Sequence, residues 1–315
     1  MEVFLSTLYK MLELFLFMAI GFLLNKLKLV PKDTAAVISK LENYIFVPCI
    51  VINTFMYKCT VDILSRKWTY ILYSIAIMAV TIPLALVLCR IFTKDAYKRN
   101  IYFYSFAVAN YSFMGTAVVA GVFPDALFDY MIFTLPLNVF VYSIGVAILI
   151  PQNGKKFSPK SFLNPIFISL IVGALIGLLL TRTSENDTVT VLLPSFLTNA
   201  IGSAANCMAP LAMILTGFVI GDYKLKLLAS QKSVYIASIL RLIVIPAAII
   251  SILKLIGTDE NIILPALCAL AMPLGLNTVV FPAAYGGDTT PGASMALISH
   301  TLSIITIPVM FALLL

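Results

Sequence analysis

The chain has 315 residues, of which 61% are hydrophobic and only 11% charged. A soluble domain carries about 25% charged residues, so this chain cannot cover a water-facing surface, and its mean hydropathy of +1.03 places it in a bilayer. The net charge of +7 does not imply a nucleic-acid partner, because the cations fall between apolar segments.

A spanning helix needs roughly 20 mostly apolar residues, and ten segments qualify: 4–24, 35–57, 68–92, 100–121, 127–150, 162–181, 190–221, 231–256, 260–285 and 291–315. In the first, Lys10 and Glu13 lie three apart on one helix face and are expected to pair. They also interrupt the apolar run, and no small-residue cleavage site follows, so a cleaved signal peptide is not expected. The second contains Pro48, flanked by Asn43 and Asn53, with Lys40 and Glu42 at its start expected to be interfacial. The third carries Pro83. The fourth reads Phe106-Ala-Val-Ala-Asn110-Tyr-Ser-Phe-Met-Gly115-Thr. The seventh carries Asn206 and Pro210, and the eighth Arg241 and Pro246. The ninth reads Ala269-Leu-Ala-Met-Pro273-Leu-Gly275-Leu-Asn277-Thr, ending near Pro282. The tenth holds His300, the only histidine. Cys49, Cys59, Cys89, Cys207 and Cys268 are scattered and lack metal-ligand spacing, so free thiols are expected.

Alternate connections carry thirteen basic residues against five. By the positive-inside rule both termini face outside, and the 151–161 connection is cytoplasmic, as for a protein of the plasma (inner) membrane.

The two halves repeat. Pro48 matches Pro210, Pro83 matches Pro246, Met114-Gly-Thr116 matches Leu276-Asn-Thr278, Asp125 matches Asp288, and Tyr142 to Val146 matches Ile305 to Val309, at offsets of 162 or 163 residues. Gly21 and Gly177 link the first and sixth spans loosely. Five spans per repeat is an odd number, so the second repeat enters the bilayer from the opposite side. The expected fold is all-α: ten transmembrane helices as two inverted five-helix repeats, 1–150 and 162–315, joined by a linker at 151–161, with broken, crossing fourth and ninth helices.

Broken helices in a bilayer are tolerated where they line a cavity or are buried in protein. Each break exposes carbonyls on one side and N–H groups on the other, which suit a cation and a carboxylate respectively. The candidate substrate-binding residues are Asn110, Gly115, Pro273, Gly275 and Asn277, with Asn53 and Asn206 as cavity walls. For Pro48 and Pro210, simple kinking is an equal alternative. Arg241 is a candidate charge partner: it attracts an anionic substrate, pairs with a carboxylate, or snorkels to the interface. His300 is a proton relay or, more often for such a residue, a neutral group bonded to another helix. His-Glu-x-x-His, Gly-x-Ser-x-Gly and phosphate-loop motifs are absent, so neither an enzyme nor an ATP-driven pump is expected, nor any cofactor or metal.

Asn110-Tyr-Ser-Phe-Met-Gly115, Ala271-Met-Pro273 with Asn277, Arg241-Leu-Ile-Val-Ile-Pro246 and Ser299-His-Thr-Leu-Ser-Ile-Ile-Thr-Ile-Pro308 carry a resemblance. The chain resembles the auxin efflux carrier family, in its bacterial malate or malonate permease-like form, essentially end to end. The resemblance implies crossed helices that move like an elevator, and small organic anions as substrates. It also implies that Asn110 and Asn277, with the backbone around Pro273, hold a carboxylate. The family commonly has Gly-x-Pro in the fourth span; Ala117 stands at that Pro here, so the fourth helix is expected to break at Gly115 alone, or less sharply. The 151–161 loop is short, unlike that of many plant members.

The expected function is therefore secondary transport of small carboxylates by alternating access. The alternatives are a sodium-coupled organic-anion symporter of the bile-acid-carrier type, a channel-like pore, and a membrane ligand sensor that does not transport. Na⁺ or H⁺ coupling and a homodimer are compatible with the chain, and no nucleic-acid partner is expected.

Overall fold

The computed structural model describes residues 2–31, 33–59, 61–149, 165–183, 189–279 and 288–315. The expected linker at 151–161 and the end of the ninth span, with Pro282, lie outside them. The fold is almost entirely helical. Among the described residues six helices are long and apolar enough to cross a membrane: α1 (Glu2–Lys26), α2 (Thr34–Lys58), α3 (Val61–Phe92, its apolar part Lys67–Phe92), α10 (Ser195–Gly221), α12 (Lys232–Leu255) and α14 (Thr290–Leu314). Between them lie shorter pieces: α4 (Ala96–Ala107), α5 (Tyr111–Val122), α6 (Leu127–Phe133), α7 (Leu135–Phe140), α8 (Val146–Leu149), α9 (Pro165–Leu179), α11 (Leu225–Ala229) and α13 (Glu260–Leu270).

Long apolar side chains such as Leu16, Leu23, Val87, Ile91, Leu255 and Leu313 stand exposed on the outer helices, as a surface solvated by hydrocarbon requires. The short pieces form the interior. Ile101 to Ala107 of α4 are all buried, as are Cys268 to Leu270 at the end of α13.

Two prolines reshape the long helices. A helical proline lacks its N–H and clashes with the carbonyl four residues back. A π-turn, Glu42–Phe46, precedes Pro48 in α2, and another, Leu240–Val244, precedes Pro246 in α12. The extra residue in each wide turn relieves the clash. Each π-turn also holds a buried ionisable residue, Glu42 at 0% exposure and Arg241 at 2%. Glu42, expected at the interface, is buried in the π-turn that packs on α10, whereas Lys40 is exposed. Lys10 and Glu13 pair as expected, at 2.8 Å.

Glycine sets the closest helix contacts. A Cβ on Gly217 of α10 would lie 1.8 Å from the Met18 carbonyl oxygen of α1, and one on Gly21 of α1 would lie 2.0 Å from the Ile214 carbonyl oxygen. On α9, a Cβ at Gly177 would lie 2.6 Å from the Phe55 carbonyl oxygen of α2. No larger residue permits such backbone approach. Helices α1, α2, α9 and α10 thus form one tightly joined group.

Several expected bounds move. Helix α3 begins at Val61, which makes helix of most of the expected 58–67 loop. The fifth span is not one helix: Thr134 and Pro136 separate α6 from α7, and a π-turn, Val141–Gly145, leads into α8. The seventh span starts at Ser195, because Thr181–Thr183 and Val189–Val191 pair as an antiparallel two-stranded ribbon ahead of it. The β-branched runs Thr-Arg-Thr and Val-Thr-Val favour that ribbon.

Candidate functional site

The two sequence-predicted breaks meet. Helix α4 stops at Ala107, Val108 is extended (φ −129°, ψ 120°), and helix resumes at Tyr111. Helix α13 stops at Leu270 and helix resumes at 277. The second stop follows from Pro273, which disfavours helix in the residue before it. The extended stretches pair antiparallel, Ala109 opposite Leu274. The Asn110 N–H donates to the Pro273 carbonyl at 2.7 Å. The fourth-span break therefore lies at Val108 to Asn110, before Gly115, and Gly115 sits inside the resumed helix. The physical reason is tertiary: the opposing backbone accepts the N–H that the interrupted helix leaves unpaired.

Side chains lock this crossing. The Asn110 Nδ2 lies 3.2 Å from His300 Nε2, and His300 Nδ1 lies 2.8 Å from the Ala296 carbonyl oxygen. A carbonyl only accepts, so in neutral His300 the proton is on Nδ1, and Nε2 accepts from the Asn110 amide. Ser299 Oγ accepts from the Leu274 N–H at 3.0 Å. Asn277 Nδ2 donates to Tyr104 Oη at 2.9 Å, and Thr278 Oγ1 donates to the Gly275 carbonyl at 2.9 Å. Arg241 Nη1 donates to the Leu270 carbonyl at 2.6 Å, at the carbonyl end of α13, where a cation is favoured.

A partly open cavity lies beside the crossing, with about 40 Å³ of room for water-sized bodies. On one side are Val47, Ile50, Val51 and Phe55 of α2, Leu170 of α9 and Met208 of α10. On the other are Tyr111, Ser112 and Thr116 of α5, Met131 of α6, Thr134, and Leu135 and Asn138 of α7. The cavity thus lies between the glycine-joined group and the broken helices. Tyr111 Oη donates to Asn138 Oδ1 at 2.8 Å, and Asn138 Nδ2 has no hydrogen-bond acceptor among the described residues. The Ser112 and Thr116 side chains make no hydrogen bond among the described residues, and Ser112 is half-buried on the cavity wall. Ser112 also sits in the first turn of α5, where backbone N–H groups lack intrahelical acceptors. Among the described residues no charged side chain lines the cavity.

The site residues read from the sequence divide accordingly. Asn110, Pro273, Gly275 and Asn277 come together at the crossing, but none of them lines this cavity. Gly115 is required by packing: a Cβ there would lie 2.0 Å from Tyr130 Oη. Asn53 is half-buried and faces α10, its Oδ1 3.8 Å from where a Cβ on Gly202 would stand. Asn206 is exposed, away from the crossing and the cavity, because that face of α10 is turned outward. Asn43 bonds locally to the Ser39 carbonyl at 2.8 Å. Sequence reasoning missed Ser112, Thr116, Thr134 and Asn138. The signal available was their polarity within apolar segments next to a break.

The profile of a family described as membrane transport protein matches residues 6–161 and 155–311, nearly the whole chain. The chain belongs to that family of membrane transport proteins. This is the auxin efflux carrier family of the sequence resemblance. No curated protein matches this carrier. As a member of a transport family with six apolar membrane-length helices among its described residues, it is a multi-pass membrane protein.

Proposed function

We propose that this carrier moves small carboxylates across the membrane by alternating access, with the cavity beside the crossing as its substrate site. The observation that carries the proposal is one cavity wall shared by Ser112, in the first turn of α5, and the Asn138 amide. N–H groups at a helix start favour a carboxylate, and hydroxyls and an amide add donors without a fixed charge. A site of this kind binds modestly and releases readily, as a carrier requires. Asn110, Asn277 and the Pro273 backbone then act mainly by holding the crossing rigid, a revision of the roles that the resemblance implied.

The inverted-repeat reading has support in the packing. The first span packs on the seventh through Gly21 and Gly217, and the sixth packs on the second through Gly173 and Gly177. Exchange of the two repeats converts one pair into the other. The glycine-joined helices then serve as a scaffold, and the crossing, with its cavity wall, is the part that moves. On this reading both termini face outside.

The test is exchange in proteoliposomes. Labelled small mono- and dicarboxylates are offered with and without the unlabelled acid inside, each with and without Na⁺. Counterflow acceleration supports a carrier, and its dependence on Na⁺ identifies symport. Binding without flux supports a sensor, and flux without counterflow supports a pore.

A further inference from the structure

A second cavity lies behind the crossing. It is lined by Ser74 and Thr81 of α3, Ala107 and Ala109 of the first break, Leu270 of the second, and Arg241 of α12. It shares no residue with the substrate cavity. Two of its side chains are buried and incompletely bonded. Arg241 is 2% exposed and Ser74 is 1% exposed. The Arg241 Nε and the Ser74 Oγ have no hydrogen-bond partner among the described residues.

Arginine stays protonated in proteins. Here the guanidinium's bonded partner is the neutral Leu270 carbonyl. Among the described residues no carboxylate lies within ion-pairing distance of it, and none lines the cavity. Asp129 of α6 is engaged instead by Lys67 at 2.6 Å and by Tyr70. A buried charge without a counter-charge is costly, and in a bilayer more so. On the measure that gives 40 Å³ for the first cavity, this one has about 20 Å³, room for a body of one or two heavy atoms.

We propose that Arg241 and Ser74 hold a small monovalent inorganic anion, of the chloride class, in this cavity. The anion accepts from the Arg241 Nε and the Ser74 hydroxyl and neutralises the guanidinium. Its occupancy relieves the cost of the buried charge and fixes the guanidinium beside the Leu270 carbonyl, and so stabilises the end of α13 and the crossing it feeds. The site does not depend on the transport reading, and it is read without substrate.

The experiment is thermal unfolding of the purified protein in detergent, titrated with chloride or bromide against gluconate at constant ionic strength. A saturable rise in Tm with halide is expected. The Ser74→Ala variant should need about tenfold more halide, because a hydrogen bond to a charged group is lost. Arg241→Met should show no halide response. Bromide anomalous scattering from wild-type crystals, independent of any variant's folding, should give a peak beside the Arg241 Nε. Equal Tm in halide and gluconate, a halide response retained in Arg241→Met, no bromide peak at saturation, or a response to malonate alone would each overturn the proposal.

Discussion

The Asn110 backbone N–H donates to the Pro273 carbonyl at 2.7 Å, joining residues in opposite halves of the chain. The Asn110 side chain separately meets His300 at 3.2 Å. Asparagine at this position therefore has two roles, and alanine keeps only the backbone one. In Asn110→Ala the buried His300 Nε2 loses its donor, which costs about 1–3 kcal/mol. A clearly lower Tm in detergent is expected, with the crossing retained. An unchanged Tm would show that the amide does not hold the histidine.

His300 itself is expected to be silent in proton traffic. It is fully buried, and both ring nitrogens are engaged. Uptake by a His300→Gln variant in proteoliposomes should keep the wild-type pH profile, because glutamine can still accept from Asn110. A displaced profile would restore the relay reading.

Gly115 illustrates which parts of the site the sequence makes legible. Its repeat-matched place marked it for the site, but its reason is steric: a Cβ would meet Tyr130 Oη at 2.0 Å, and that hydroxyl donates to the Tyr111 carbonyl at 2.6 Å. Gly115→Ala should lower Tm strongly, and Tyr130→Phe in the same chain should restore part of the loss. Purely additive effects of the two substitutions would contradict the contact.

The membrane class and the existence of two breaks were legible because hydropathy and proline act locally. Pro273 announces its break. The break at Val108 to Asn110 has no proline, and only the opposing Ala109–Leu274 pairing explains it. No pattern confined to the fourth span contains that information. The same holds for the cavity. Ser112 and Asn138 are 26 residues apart by their numbering, on separate elements, and the Tyr111 hydroxyl brings them to one wall. Asn206 shows the converse: a polar residue near Pro210 reads as a cavity wall, yet its helix face is exposed. The burial of Glu42 was not legible either, because it depends on the packing of its π-turn against α10.

Glu42 yields a prediction of its own. Both of its carboxylate oxygens are buried without a hydrogen-bond partner. A buried carboxyl group that makes no bond contributes desolvation cost and no compensating contact. Replacement by an apolar residue of similar volume removes that cost. Glu42→Leu should leave Tm unchanged or raise it, whereas Glu42→Ala should lower it by leaving a void against α10. A marked loss of stability in Glu42→Leu, measured by thermal unfolding in detergent, would show that the carboxyl has a partner in the membrane-embedded state.

The cavity residues separate binding from folding. Ser112 and Thr116 make no side-chain hydrogen bond among the described residues, so Ser112→Ala removes a substrate donor and little else. Asn138 differs, because its Oδ1 accepts from Tyr111. Its replacement by alanine frees a buried phenol as well as removing Nδ2. On the proposed function, Ser112→Ala should weaken carboxylate binding about five- to tenfold, the effect of about one hydrogen bond to a charged group, with Tm unchanged. Asn138→Ala should weaken binding further and lower Tm. Asn138→Asp keeps the Tyr111 acceptor but places a negative charge beside the anion, so it should abolish binding while holding stability near wild type. Calorimetry with the acid identified by counterflow reads all three variants. Wild-type affinity in both Ser112→Ala and Asn138→Asp would move the substrate away from this wall and return the candidate site to Asn277.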